Sequence, residues 1–264
     1  MKRIVIFVVA SCFLWMACNR NAKKDPNAFE VNTITVEDSV HFPEEMIEEW
    51  MYDDMASYLC VVDAPVTDNE DLRDNIINWI GGFLSENYNG DSQDVKAMVE
   101  FEKNEFLGPA TGTPESQMQH FIVMEEDNDR FVTYVSGQYV FMGGAHGNTE
   151  IEGATFSKKD GTRFSFDMFV MPEKLTDLIK EGLENQYFNS MLDGTEVPFS
   201  DVLSLDVDEE FPLPKTNPWI QNDSVFFIYQ TYEIAAYYMG LPQCGFPYSA
   251  IKDALTDEGK AFFE

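Results

Sequence analysis

Apolar residues recur along this chain with two periods, and the switches between those periods divide it into elements. Val31-Asn32-Thr33-Ile34-Thr35-Val36 alternates apolar with polar, the period of a half-buried strand. Residues 57–66 form a β-rich run that stops near Pro65. Over residues 69–88 the period lengthens: Leu72, Ile76, Ile77, Ile80, Phe83 and Leu84 share one helical face, with Asp68 available as N-cap. A second helix is expected over residues 91–106, on Val95, Met98, Val99, Glu102 and Phe106, followed by a Gly/Pro-rich loop. Residues 118–126 and 130–142 then flank the acidic turn Asp127-Asn128-Asp129 as an antiparallel hairpin. That hairpin ends abruptly at Gly143-Gly144-Ala145-His146-Gly147-Asn148.

The second half reads less regularly. Residues 151–158 and 162–169 flank Asp160-Gly161, a dipeptide that tolerates the positive φ of a tight turn, so a second hairpin is expected. Pro172 opens a helix running to about residue 191, with Leu175, Leu178, Ile179, Leu183 and Tyr187 inward. An acidic, proline-containing stretch over 193–217 carries a short strand near 202–205. Ser224 to Tyr232 (SVFFIYQTY) is strongly β-prone and reads as a central strand. Residues 233–247 read as turns or irregular chain, 248–255 as a strand or short helix, and 256–264 as an end helix. Strands and helices alternate without βαβ repetition. The fold class expected is therefore α+β: two small domains with antiparallel sheets and packed helices, split as 29–149 and 150–264.

The N-terminus changes the picture by giving an address. Lys2 and Arg3 precede an apolar run over residues 4–16, broken only by Ser11 and too short to span a bilayer as a stable helix. Ala17-Cys18 follows, and polar sequence starts at once with Asn19-Arg20-Asn21. This is the pattern of a bacterial lipoprotein signal: residues 1–17 are cleaved, Cys18 is acylated, and residues 18–28 form a tether. Bulky Trp15 stands where an aliphatic residue is usual, and plain secretory cleavage is the rival reading. Either way the domain works in the cell envelope, outside the cytoplasm.

The 264 residues carry a formal charge of −30, and losing Lys2 and Arg3 makes the mature chain two units more negative. Such a field repels nucleic acid and steers cationic partners inward; solubility alone is the plainer explanation. A hydrophobic content of 44% supports packed cores rather than disorder. With Cys12 in the leader and Cys18 acylated, Cys60 and Cys244 remain, either as a disulfide or as two buried thiols.

Two segments resemble a known family. Tyr139 to Asn148 (YVFMGGAHGN) resembles the "Y…GGAHG" junction of a domain pair in bacterial envelope proteins. Thr155-Phe156-Ser157, Asp160-Gly161 and Phe166-Asp167-Met168-Phe169 resemble its following hairpin. Tyr232-Glu233-Ile234-Ala235-Ala236-Tyr237 with Phe246-Pro247-Tyr248-Ser249 is similar to its ending, with Ala236 in place of the usual proline and Phe246 of the usual isoleucine. The pair occurs in the extracellular region of the lysozyme-sensing anti-sigma-V factor and ahead of the catalytic domain of a Bacillus-type peptidoglycan deacetylase. The resemblance implies a non-catalytic binding or sensing module, with a cationic protein such as lysozyme, or a cell-wall glycan, as partner.

The candidate contact residues follow from the same segments: His146, Gly144 and Gly147 in the glycine-rich turn, and Tyr232, Glu233 and Tyr237 in the aromatic one. The glycines permit close approach to a ligand; the plainer reading of His146 is a structural turn with its imidazole bonded to nearby backbone. Glu233, in an apolar segment, is expected to accept backbone N–H bonds or pair with a base. No GxSxG elbow, HxxxH or HExxH spacing is present. Asp201, Asp206, Asp208, Glu209 and Glu210 cluster without EF-hand order and read as a solvated acidic loop. No catalytic residue, metal or cofactor is assigned, and the only expected membrane contact is the lipid. An enzyme or accessory protein acting on cell-wall glycan is the alternative function.

Overall fold

The computed structural model describes residues 29–48, 51, 54–84, 86–109, 113–189, 198–204 and 210–264. The leader, the tether and Cys18 lie outside them, as do Asp206, Asp208 and Glu209 of the acidic loop. Strand β1 (Glu30–His41) pairs antiparallel with β2 (Met55–Val66), and helices α1 (Glu70–Leu84) and α2 (Val95–Phe106) follow. Strand β3 (Gln117–Asp127) returns parallel to β2, and β4 (Phe131–Phe141) and β5 (Asn148–Ser157) complete a five-stranded sheet in the order β1-β2-β3-β4-β5. The class is α+β, as expected. The parallel β2–β3 pair is the departure from an antiparallel sheet, and the two helices supply the long crossover that a parallel pair needs.

Alternation along the strands sorts the sheet into two faces. One face carries Val36, Tyr58, Cys60, Val62, Ile122, Tyr134, Ala154 and Phe156 against Leu72, Ile76, Ile80, Met98, Val99 and Phe106 of α1 and α2. The cap of α1 is Asn69 rather than Asp68: its Oδ1 accepts the Leu72 N–H at 3.2 Å, while its amide donates to the Lys158 carbonyl at 2.9 Å. Asp94 caps α2 by accepting from the Ala97 N–H at 3.0 Å.

The opposite face of β4 and β5 receives the second sheet, made of β6 (Trp219–Gln221), β7 (Ser224–Ile228) and β8 (Gln243–Pro247) in that order. Strand β7 is central, as its composition predicts, but β8 replaces the irregular chain expected there. Around this sheet pack α3 (Leu175–Leu183), α4 (Phe199–Val202), α5 (Tyr248–Ile251) and α6 (Asp257–Lys260). Their core includes Phe164, Phe169, Leu183, Phe227, Tyr229 and Phe246.

Two further expectations need correction. The second hairpin is a hook: β5 pairs with β4, and the arm after Gly161 touches it in a single bridge, Phe156 to Arg163, before turning into a 3-10 helix over Phe166–Met168. Thr149 and Glu150, on either side of the division read from the sequence, both lie in β5 of the first sheet. The strand expected near residue 202 is the helical turn α4 followed by a bridge from Leu203 to Ala235. Of the two readings open for Cys60 and Cys244, the structure has the second: both are buried, free thiols, each in a different core.

Candidate functional site

Two connections meet at one end of the joint between the sheets. The first is the turn from β4 to β5, residues 142–147. Gly143 (φ 88°) and Gly144 (φ 99°) adopt backbone that L side chains disfavour, with nothing near either Cα to crowd a side chain, so their role is conformational. Gly147 serves by lacking a side chain: a Cβ there would lie 2.4 Å from the Tyr139 ring. The second connection is residues 229–240, after β7. Glu233 braces it, one oxygen accepting the Lys215 N–H at 2.7 Å and the other the Gln230 N–H at 2.8 Å. That use of both oxygens explains a carboxylate in an apolar stretch: Glu233 accepts backbone N–H bonds, as expected, and braces the loop.

Side chains tie the two connections together. The Gln230 amide bonds both backbone groups of Ile151, accepting from N–H at 3.1 Å and donating to C=O at 2.7 Å. Thr231 donates to the Thr149 carbonyl at 3.1 Å, and the Tyr237 hydroxyl to the Gly147 carbonyl at 2.8 Å. These bonds stack the His146 imidazole on the Tyr237 ring, with centroids 3.6 Å apart and 21° between planes. His146 Nδ1 lies 3.1 Å from the Gly147 carbonyl, to which only an N–H can bond, and Nε2 lies 3.4 Å from the Tyr232 hydroxyl.

The result is a small aromatic platform. Tyr232 is 62% exposed although its own φ is 68°, a costly backbone for a bulky residue, and its ring lies 5.7 Å from that of Tyr237. The neighbouring Tyr238 is 74% exposed. Of the residues singled out in the sequence, the structure brings together His146, Gly147, Tyr232 and Tyr237, while Gly144 and Glu233 shape the supporting turns. Sequence reasoning missed Tyr139, whose hydroxyl pKa is raised by burial and then by Tyr237. It also missed Gln230, Thr231 and Tyr238. The adjacent pair Tyr237-Tyr238 was the available signal, since only one of the two can face the backbone it bonds.

Chemically the platform offers ring faces and hydroxyls. The imidazole's polar neighbours are a carbonyl and a phenol, an arrangement suited to recognition. Depressions elsewhere, such as one of about 490 Å³ over the ends of β1, β2 and β3 lined by Glu37, Ser57, Leu59 and Gln119, lie away from it. Among the described residues, donors suited to a metal converge elsewhere: Cys60, Glu102 and His120, beneath α2. Among the described residues no helix is long and apolar enough to cross a membrane.

Residues 167–249 match the family model described as "Protein of unknown function (DUF3298)". The match contains the tyrosine half of the platform, and His146 precedes it. Two solved structures are similar over nearly the whole chain. A DUF3298-family protein of Bacteroides fragilis NCTC 9343 is 19% identical with a TM-score of 0.64, covering 91% of this chain and 98% of its own. A DUF3298-family protein of Pseudomonas aeruginosa PAO1 is 16% identical with a TM-score of 0.57, covering 87% and 96%. At these identities the likeness is one of fold. No curated protein matches the chain.

Proposed function

We propose that this chain, which carries a DUF3298 domain, is a non-catalytic binding or sensing module of the cell envelope, moored by lipid on Cys18. Its partner in this reading is a cationic protein of the lysozyme kind, gripped through His146, Tyr232 and Tyr237. The observation that carries the reading is the exposed, pre-positioned tyrosine surface. Tyr232 stands 62% exposed on a positive-φ backbone beside a stacked His146–Tyr237 pair. Rigid aromatic rings that lose little entropy on contact are what interface hot spots use. The formal charge of −30 adds long-range attraction for a basic partner, and the resemblance to the anti-sigma-V extracellular region supplies the specific candidate.

The test is retention of lysozyme on the immobilised protein at low and moderate salt. Binding is expected at both, weaker at the higher, with Tyr232→Ala reducing affinity by about tenfold or more. No retention at either salt removes lysozyme as the partner. Palmitate labelling that is lost in Cys18→Ser tests the anchor. The exposed Tyr232 and Tyr238 rings also suit stacking on a sugar face, which favours a cell-wall glycan as the second reading. Soluble glycan fragments binding in place of lysozyme, or being turned over, would select that reading instead.

A further inference from the structure

The first core contains a group of polar side chains that the platform does not use. Cys60 and His120 are direct register partners across the parallel β2–β3 pair, so both side chains point to the same face, beneath α2. Glu102 comes down from α2 onto them. One donor atom from each of the three residues lies within 4.8 Å of the others. Cys60 and His120 are fully buried, and the Glu102 side chain is 11% exposed.

The surroundings orient these donors inward. His120 Nδ1 lies 3.5 Å from Glu102 Oε1, while Nε2 lies 3.2 Å from the Ser136 hydroxyl. An Nε2–H bond to Ser136 leaves the Nδ1 lone pair facing the cluster, where the Gln138 amide nitrogen lies 3.4 Å from it and gives way when an ion binds. The Tyr58 hydroxyl donates to Glu102 Oε2 at 2.6 Å, fixing the carboxylate and leaving Oε1 toward the imidazole. Three unlike donors are thus gathered between a helix and a sheet, their burial offset in part by hydrogen bonds from Tyr58, Ser136 and Gln138.

We propose that Cys60, Glu102 and His120 form a binding site for a borderline-soft divalent cation, Zn²⁺ being the natural occupant. One thiolate, one imidazole nitrogen and one carboxylate oxygen make a three-donor set with a fourth position left for water or another oxygen. Ligand atoms around a tetrahedral zinc at about 2.0–2.3 Å sit roughly 3.3–3.8 Å apart. The His120–Glu102 separation of 3.5 Å already falls in that range, and no pair of the three donors is more than 4.8 Å apart. Entry of the ion breaks the Cys60 S–H bond, forms a sulfur–metal bond and releases the proton to solvent. Bound there, the ion would clamp α2 to β2 and β3.

The test is titration of the chelator-treated full chain with Co²⁺, then Zn²⁺. The expected result is a stoichiometric thiolate-to-cobalt charge-transfer band with visible bands of four-coordinate cobalt, all bleached by Zn²⁺. Cys60→Ala should abolish the charge-transfer band. Glu102→Gln, nearly isosteric and expected to fold, should bind Zn²⁺ at least tenfold more weakly. Ser136→Ala should weaken binding by about 10–100-fold through the histidine orientation. Absence of the thiolate band in the unaltered protein, or Zn²⁺ binding equally tight in Glu102→Gln, would overturn the assignment.

Discussion

Thr155→Val removes one oxygen from the joint between the two sheets and changes almost nothing in its shape. Strand β6 leads through the two-residue turn Asn222-Asp223 (φ 50° and 56°) into β7, with Gln221 opposite Ser224. In such a hairpin the next pair, Ile220 with Val225, is the non-hydrogen-bonded one, which turns the Ile220 N–H and C=O away from β7. They meet two fully buried hydroxyls of the first sheet. The Ile220 N–H donates to Thr155 Oγ1 at 2.8 Å, and Thr133 donates to the Ile220 carbonyl at 2.7 Å. The 2.7 Å contact between the hydroxyls closes the ring, with Thr155 donating to Thr133.

In Thr155→Val the fully buried Ile220 N–H loses its acceptor, a cost of about 1–3 kcal/mol. Thr133→Val should cost less, because Thr155 Oγ1 already lies 3.3 Å from the Ile220 carbonyl and its hydroxyl can turn to donate there. Urea titration of each variant, read as midpoint at constant slope, measures both differences. A hydrophobic account of the joint predicts the opposite, since valine is the more apolar isostere. If Thr155→Val is as stable as the unaltered protein, or Thr133→Val is the worse variant, the hydroxyl ring does not hold the sheets together.

Gly153→Ala should also loosen the joint: its Cβ would sit 2.2 Å from the Trp219 ring, and displacing that ring is expected to lower the urea midpoint by about 1–3 kcal/mol of stability. In the metal-free protein burial pushes the Cys60 and Cys244 thiols up from 9.0 to about 12, so both should resist a thiol reagent at pH 8 until the protein unfolds. Because these pKa values are raised in the folded state, the stability they contribute is intact below pH 9 and drains as pH climbs toward 12. An unfolding curve flat across that alkaline range would contradict the burial.

Period and turn chemistry made much of this fold legible. The β1 alternation, the apolar face of α1 and the β3–β4 hairpin all appear close to where the pattern puts them, because each is local. What failed was short or non-local. Strand β6 is three residues, Trp219-Ile220-Gln221, too few to display a period, and its sign was the Asn222-Asp223 turn. Strand β8 contains Gly245 and Pro247, which depress β-propensity but are tolerated on the edge of a sheet. The glycine-rich turn reads as a junction between halves because the strand pattern stops there; only pairing of β5 with β4 shows the chain turning back into the same sheet. Cys60 and His120 are separated by two helices and become neighbours only through the parallel register, a pairing no spacing rule encodes. The platform was half legible, since its two motifs were visible but the Gln230–Ile151 link that joins them was not.

That link gives the platform a consequence beyond its own surface. His146 is carried by the turn that closes the first sheet, whereas Tyr232 and Tyr237 belong to the chain leaving the central strand of the second. Their stacking exists only while the sheets are docked through Gln230–Ile151, Thr231–Thr149 and the Ile220 hydroxyl ring. A partner that grips rings from both sides therefore binds the docked arrangement and stabilises it by the same free energy with which docking favours the partner. Thr155→Val, remote from every platform atom, then serves as a probe of this coupling. Binding to the platform should narrow its stability gap from the unaltered protein only where undocking occurs short of global unfolding. If unfolding is all-or-none, both proteins gain equally from the partner, and the sheets behave as one cooperative unit.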